Sequence, residues 1–407
     1  MNQTRSLFPW RRLFVKPKCN WSIGALAKRF NYPSYPLAAT FLLYLMFVIF
    51  RLWYFDFNPT AFIVAGDRLA YKDILPESFL VLESSYGYDG QFYYAIAVSP
   101  ARPDQEATGI RGVNAYRHQR ILYPLIVWLF SLGKKGWVPY SMIAVNLAAV
   151  CWIAWLAGRL CQTMQKNALW AIPISLYPGY LLSLSRNLAE ITAGAFILAA
   201  LWLITRRRNI WAAISLSLGV LARETALVVA VSMIIASGWT YLRNPRKSYF
   251  GWVVLLMPIL VYGLWQAVLW RYWGRPAFAT AGGLIGAPLE GLFTSLASAL
   301  RLQHIGDVAV LWDLAFIVLF TTAALCCWRQ TKAPLFYLVS LTLYATMVFV
   351  LSDQVWIEYF GYFRASSELF LFGYLILIAS PSRFKAPITA FSIFRWTSQA
   401  FLRLFFV

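Results

Sequence analysis

The stretch PLAATFLLYLMFVIFRLWYF, residues 36–55, decides the fold class of this chain. Almost all of its side chains are apolar, and a helix of this length rises about 30 Å, the thickness of a bilayer's hydrocarbon core. The 35 residues before it hold seven Lys and Arg and no Asp or Glu. That segment is too long and too basic for a cleavable signal peptide. The stretch is therefore predicted to be an uncleaved first span behind a cytosolic tail.

Apolar runs of similar length recur through the 407 residues, of which 60% are hydrophobic and 13% charged. This composition excludes an ordinary soluble domain. The sequence predicts an all-α, polytopic helical membrane protein with about ten transmembrane helices and both termini in the cytosol. The predicted spans lie near residues 36–55, 138–158, 168–185, 188–205, 210–222, 225–241, 250–270, 309–327, 334–352 and 366–380.

The charges support this topology. The predicted cytosolic segments hold 21 of the 36 Lys and Arg and none of the 16 Asp and Glu. Because Lys and Arg in short loops orient spans, the acids are predicted to face the exterior or periplasm. The net charge of +20 then reflects contact with anionic membrane lipids rather than with nucleic acid. The predicted location is the inner (plasma) membrane of a cell.

The predicted organisation follows from these spans. Residues 1–35 form a basic cytosolic tail, and residues 36–241 form a membrane core with an outer loop at 56–137. Residues 242–380 form further helices with outer loops at 271–308 and 353–365. Residues 381–407 form an amphipathic helix on the inner surface. The run from Ile121 to Leu132 would rise only about 18 Å, so it is predicted to be a short interfacial helix. The short span 210–222 is followed by Arg223 and Glu224, which predicts that it ends in a cavity lined by protein and open to the outside.

The first outer loop holds eight of the 16 acids, among them Asp89 in YGYDGQFYYAIA, residues 86–97. Turn residues open this stretch and a helical pattern follows, so Asp89, Phe92 and Tyr93 are predicted to share one helix face. An acid beside two aromatic rings is a candidate catalytic group. The alternative is that Asp89 only caps the helix.

Two arginines, Arg117 and Arg120, lie one turn apart just before the interfacial helix. A planar guanidinium binds phosphate through paired hydrogen bonds, so this pair suits the phosphate of a lipid-linked substrate. The alternative is ordinary anchoring at the membrane interface, which Arg and Tyr also favour.

Charges also lie at three further junctions of spans: Arg186 with Glu190, Arg223 with Glu224, and Arg364 with Glu368. The first and third pairs are four residues apart, so each alone could be a local ion pair. Their clustering at membrane depth, where charge is costly, indicates a function. Trp356, Tyr359 and Tyr362 nearby suit either an aromatic platform for a sugar ring or an interfacial belt.

In order and spacing, residues 36–241 resemble the GT-C superfamily of membrane glycosyltransferases, a group that includes protein mannosyltransferase and aminoarabinose transferase-like enzymes. The resemblance lies in YDGQFYYAIA in the first outer loop, RILYPLIVWLF in an outer helix, SRNLAE between two spans and LGVLARETALVV at a short span. Gly90 stands where many members carry a second acid, and Glu190 where several carry Asp. Both departures count against a bound divalent metal, which the family would otherwise allow. No cofactor is required, because arginines can neutralise the phosphate that leaves on its lipid anchor.

The resemblance implies an inverting, single-displacement transfer of a hexosyl or pentosyl group from a polyprenyl-phosphate donor to a hydroxyl of a glycolipid or glycopolymer acceptor. Asp89 would be the catalytic base, because a carboxylate can take the acceptor proton. The donor phosphate would be bound by Arg117, Arg120, Arg223 and Arg364. Substrate contacts would come from Tyr88, Tyr93, His118, Asn187, Glu190, Glu224, Trp356 and Tyr359.

Two alternatives stay open. A lipid-linked glycan flippase or transporter would also have many spans with buried charges, but carriers often contain two similar halves and no internal repeat is visible here. A glycan polymerase or ligase would share the arginines without needing an acid before the second span.

Overall fold

The computed structural model describes residues 30–243, 251–280, 283–303, 305–331, 333–357, 361–381 and 383–405. These residues are mostly helical and contain almost no strand, which confirms the predicted helical class. The helices are α1 (Ser34–Tyr54), α2 (Gly90–Val98), α3 (Gln105–Thr108), α4 (Ala115–His118), α5 (Leu122–Phe130), α6 (Val138–Thr163), α7 (Ile172–Ser175), α8 (Pro178–Ser185), α9 (Glu190–Thr205), α10 (Asn209–Ala222), α11 (Leu227–Arg243), α12 (Trp252–Trp273), α13 (Glu290–Ala299), α14 (Ile305–Cys327), α15 (Leu335–Phe349), α16 (Asp353–Ile357), α17 (Gly361–Ala365), α18 (Ser367–Ala379) and α19 (Lys385–Phe405).

Short elements complete the chain. Two strands of two residues each, β1 (Ala65–Gly66) and β2 (Val81–Leu82), pair in parallel with Ala65 opposite Val81. Single 3-10 turns lie at Pro59–Phe62, Lys135–Trp137, Ala168–Ala171, Glu224–Ala226, Ala277–Thr280 and Trp328–Gln330.

Within the described residues, five helical stretches are long and apolar enough to cross a membrane. They contain α1, α6, α11, α12 and α14. The stretch Ala168–Ser175 and α8 are together long and apolar enough to form a sixth span, but the chain bends by 52° between them. The helices α9, α10, α15 and α18 are shorter apolar helices of 10–17 residues. Each of the ten apolar runs thus coincides with helix, while the count of ten spans stays a prediction.

Helix α9 lies inside the bundle and packs against α6 and α10. Small residues are distributed around its circumference and are all buried: Ala193, Gly194, Ala195, Ala199 and Ala200. Lipid tails are as apolar as the helices themselves, so helices in a membrane associate by close packing, which small side chains permit. This explains why α9 lies in the middle of the bundle.

The segment between α1 and α6 covers one end of the bundle, which we call the loop end. Helix α5 has nine residues and rises only about 13 Å, so the expectation of a short, non-spanning helix is confirmed. It is fixed to the start of α6 because Tyr123 donates its hydroxyl hydrogen to the Met142 carbonyl at 3.1 Å and accepts a hydrogen bond from Asn146 at 3.0 Å. The loop end is therefore a packed layer rather than an open loop.

Helix α19 lies in the segment predicted to be an amphipathic tail on the inner surface, and its place relative to a membrane stays a prediction. Its polar residues face the bundle and are buried, namely Ser392, Arg395, Gln399 and Arg403. The sequence pattern correctly indicated an amphipathic helix. The polar face turns inward because the bundle supplies partners for it, including Asp313 for Arg395.

Candidate functional site

Four arginines and four carboxylates from distant parts of the chain meet at the loop end. We call this group the ion-pair cluster; it consists of Asp89, Arg117, Arg120, Glu190, Arg223, Glu224, Arg364 and Glu368. All eight were singled out from the sequence, and the fold brings them together. Their charges sum to zero, as a group of largely buried charges requires.

Asp89 is the carboxylate of the cluster most open to solvent, with 26% of its side chain exposed. It precedes α2 at the N-cap position, but its side chain makes no capping hydrogen bond, so the capping interpretation is wrong. Its Oδ2 accepts a hydrogen bond from Nη2 of Arg364 at 2.5 Å, while Oδ1 lies 3.9 Å from Nε of Arg117. One oxygen is therefore firmly held and the other only weakly engaged.

The ionised form of Asp89 is favoured. Burial raises the energy of the charged form, but the surrounding guanidinium groups, Arg364 above all, outweigh burial and hold the pKa of this carboxyl below its ordinary value. Asp89 is therefore a weak base. It accepts a proton only from a group that becomes acidic in the course of a reaction.

Gly90 explains how Asp89 reaches this position. A Cβ at residue 90 would lie 2.2 Å from the backbone oxygen of Arg186, which is far below contact distance. Only glycine lets the first turn of α2 lie directly against the turn between α8 and α9. This close approach is the physical reason why a second acid does not follow Asp89.

Arg364 joins Asp89 to Glu190. Its Nε donates to Oε1 of Glu190, whose side chain is fully buried and also lies 3.9 Å from Nε of Arg223. No ion pair between Arg186 and Glu190 is found among the described residues, so the local interpretation of that spacing is wrong.

Glu368 likewise pairs across the bundle rather than with Arg364. Nη1 of Arg223 lies 2.9 Å from both of its carboxylate oxygens, and Thr225 and Ser367 donate hydroxyl hydrogen bonds to it at 3.0 Å. The interpretation of Arg364 and Glu368 as a local pair is therefore wrong as well.

Arg120 is tied to Glu224 at the end of α10 by two hydrogen bonds, of 2.9 Å and 2.6 Å. It also donates to the hydroxyls of Tyr93 at 3.1 Å and Tyr116 at 2.9 Å. Because four of its donors are used, Arg120 connects the outer segment to the bundle rather than standing ready for a ligand.

Two other arginines are less committed. The guanidinium of Arg117 stacks 3.6 Å from the centre of the Phe92 ring, and 30% of its side chain is exposed. Arg186 lies 4.0 Å from the centre of the Tyr88 ring and has no carboxylate partner among the described residues. Sequence analysis did not place Arg186 in the site, although it belongs to the same SRNLAE motif as Glu190.

Two of the predicted substrate-binding residues, Tyr88 and Asn187, lie beside Arg186. In the described part of the chain, the Tyr88 hydroxyl and both polar atoms of the Asn187 amide are buried without a hydrogen-bond partner. Asn187 also has a φ of 50°, a left-handed conformation that is uncommon for a residue other than glycine. Unsatisfied polar groups at a strained turn are typical of a position that a ligand completes.

His118 does not join the cluster. Its Nδ1 accepts a hydrogen bond from Trp273 at 3.1 Å, which leaves Nε2 to donate to the Pro100 carbonyl at 2.9 Å. Burial lowers the pKa of this imidazole, so it is neutral at pH 7. His118 therefore links the outer segment to α12 and lies outside the ion-pair cluster, while its predicted substrate role stays a prediction.

The predicted aromatic platform is also absent at Trp356. This side chain is 2% exposed, and its ring stacks on Tyr362 with the ring centres 5.8 Å apart. It fills the core because Gly291 leaves room for it. Tyr359 lies outside the described residues.

An apolar groove begins next to the cluster. It has a volume of about 560 Å³ and runs between α5, α10 and α12. Ile121 follows Arg120 in the chain and Leu221 precedes Arg223 by two residues, so the groove opens beside two cluster arginines. Its lining consists of Pro100, Ala101, Ile121, Leu125, Leu221, Val261, Leu264, Trp265 and Val268.

The carboxylates do not form a metal site. Within the described ranges, no three His, Cys, Asp or Glu residues converge as metal ligands. Asp89 and Glu190 are the acids at the two positions compared with the family in the sequence analysis. Both pair with Arg364, so a guanidinium occupies the place between them. This donor set does not fit a divalent metal.

Comparison of the chain with protein-family models, with curated proteins and with solved structures finds no match.

Proposed function

We propose that the protein is a membrane glycosyltransferase of GT-C type with about ten spans. It would transfer a hexosyl or pentosyl group from a polyprenyl-phosphate donor to an acceptor hydroxyl at the outer face of the inner membrane. The observation that carries the proposal is the partly exposed Asp89 carboxylate, which is held by Arg364 on one oxygen and has Arg117 3.9 Å from the other, while Arg186 stacks on the ring of the neighbouring Tyr88.

Asp89 suits the role of catalytic base. Because Arg364 binds Oδ2, Oδ1 is the oxygen that can accept the acceptor proton. As the acceptor oxygen bonds to the anomeric carbon, its proton passes to Oδ1. The bond from that carbon to the phosphate oxygen breaks, and its electron pair leaves on the phosphate. Attack opposite the leaving group inverts the sugar.

Arg117 and Arg186 are the best candidates for binding the leaving phosphate. Charge-assisted hydrogen bonds from arginine stabilise the negative charge that gathers on the phosphate. Arg120, Arg223 and Arg364 already satisfy carboxylates, so releasing them would expose buried negative charge. In this proposal those three hold the site together, while Arg117 and Arg186 contact the donor.

The groove beside Arg120 suits the polyprenyl chain. It is apolar, and its volume of about 560 Å³ can hold several isoprene units. A lipid lying in it would place its phosphate next to the cluster.

The test is transfer by the purified protein in lipid nanodiscs, using radiolabelled polyprenyl-phosphate hexoses and pentoses and measuring release of polyprenyl phosphate. Asp89→Asn should abolish release while the protein stays folded. Glu106→Gln is the matched control, because it removes one negative charge from an exposed position in the same segment. An Asp89→Asn variant with near-normal turnover would overturn the base assignment, and movement of the lipid across vesicles without release would favour a flippase.

A further inference from the structure

Helix α19 is long enough to cross a membrane, but its polar residues keep it out of the stretches that are apolar enough by composition alone. Its 21 residues rise about 31 Å, enough for the hydrocarbon core. The face turned away from the bundle is apolar and exposed, with Phe394 at 64% and Phe401 at 65%. A helix on an aqueous surface would turn its apolar face toward the protein, whereas lipid requires the reverse.

The inward face of α19 is held by a buried ion pair. Nε of Arg395 lies 2.6 Å from Oδ1 of Asp313 on α14, and Nη2 donates to Oδ2 at 2.6 Å. Tyr362 donates its hydroxyl hydrogen to Oδ2 at 2.8 Å. Asp313 is fully buried, so each charge depends on the other for compensation. This pair makes a polar face tolerable inside the bundle.

The direction of α19 follows from its contacts with α1. The ring of Trp396 lies 5.3 Å from that of Tyr44, and the ring of Phe405 lies 5.1 Å from that of Tyr54. Between them, Arg51 donates to the backbone oxygen of Arg403. The two helices therefore run parallel, and both end at the loop end.

At its other end, α19 begins among basic residues. Arg383 and Lys385 lie in this region, and Lys385 is close enough to Lys166, just beyond the end of α6, for their charges to interact. Basic residues of this kind mark the cytosolic side.

We propose that α19 is a further membrane crossing in addition to the ten predicted spans. It would run beside α1 in the same direction, with Lys385 on the cytosolic side and Phe405 on the outer side, in contrast to the cytosolic C-terminus that the sequence predicts. This topology is independent of the proposed enzymatic function. It also connects α19 to the site, because Tyr362 bonds to Asp313 and lies two residues before Arg364. Arg395 would thereby position the segment that carries Arg364.

The test is a set of reporter fusions to the full chain in a bacterial host. Alkaline phosphatase fused to the C-terminus should be active and GFP in its place should be dark, because phosphatase matures only outside the cytosol and GFP exported through the general secretory route does not fluoresce. GFP at the N-terminus is the control and should be bright. Bright C-terminal GFP with inactive phosphatase would overturn the proposal and return α19 to the inner surface.

Discussion

The ion pair between Arg120 and Glu224 should be a major source of stability at the loop end. Glu224→Gln keeps the size of the side chain but leaves the Arg120 guanidinium, only 6% exposed, without its counter-charge. Removing one partner of a fully buried pair costs about 3–5 kcal/mol. Because Glu224 is 22% exposed and water can reach its position, we expect a loss of about 2–3 kcal/mol in the free energy of unfolding.

The measurement is a double-mutant cycle. Arg120→Gln, Glu224→Gln and the double variant would be unfolded by SDS titration in mixed micelles and followed by circular dichroism. Once both charges are gone, no uncompensated group remains. The double variant should therefore be destabilised by clearly less than the sum of the single variants, with a coupling of about 2 kcal/mol.

Arg102 and Asp104 provide the matched control within the same segment. Their charged groups are 3.6 Å apart, but their side chains are 82% and 43% exposed. An exposed pair is screened by water and salt, so its coupling should stay below about 1 kcal/mol. If the substitutions at Arg120 and Glu224 are as additive as those at Arg102 and Asp104, mutual charge compensation does not hold the cluster together.

Three further predictions follow from the structure. Arg186→Gln should raise the KM for a polyprenyl-phosphate donor by roughly tenfold or more, the equivalent of one charge-assisted hydrogen bond. The control Arg68→Gln removes an exposed Arg that stacks on Tyr86 at 4.6 Å and should leave KM unchanged. Equal effects of the two variants would argue against a phosphate contact. Asp313→Asn and Arg395→Gln should each destabilise the protein by about 3–5 kcal/mol, and the swapped variant Asp313→Arg with Arg395→Asp should recover part of the loss; no recovery would mean that packing rather than charge fixes α19. Because the pKa of His118 is lowered in the folded protein, the unfolded chain takes up a proton first as pH falls below about 6.5. The free energy of unfolding should therefore drop from pH 7.5 to 5.5, and His118→Gln should show a smaller drop in the same SDS titrations. An equal drop in the variant would contradict a buried neutral imidazole.

The sequence alone was sufficient for the class of fold and for the eight residues of the ion-pair cluster, but not for Arg186. Long apolar runs predict helices because only helices satisfy the backbone in lipid, and every predicted run coincides with helix in the structure. The junction residues could also be selected in advance, because charge at membrane depth is costly and rarely incidental. Even the short helix α5 was predictable, since its length is simply too small to cross a bilayer.

The pairing of those charges depended on the tertiary structure. Local spacing suggested Arg186 with Glu190 and Arg364 with Glu368. The fold instead joins Arg364 to Asp89, 275 residues away, and Arg223 to Glu368, 145 residues away. Ion pairs form with whichever opposite charge the packing brings close, and helix periodicity carries no information about contacts between helices.

The same limit applies to α19. Its amphipathic pattern is present in the sequence, but a pattern cannot say which face of the helix packs against the rest of the protein. That choice was made by Asp313 and Tyr374, which supply partners for Arg395 and Ser392 inside the bundle. A polar side chain enters a low-dielectric interior only where a partner compensates its lost hydration. The sequence therefore determined which charges exist, and the assembled bundle determined where each of them can be buried.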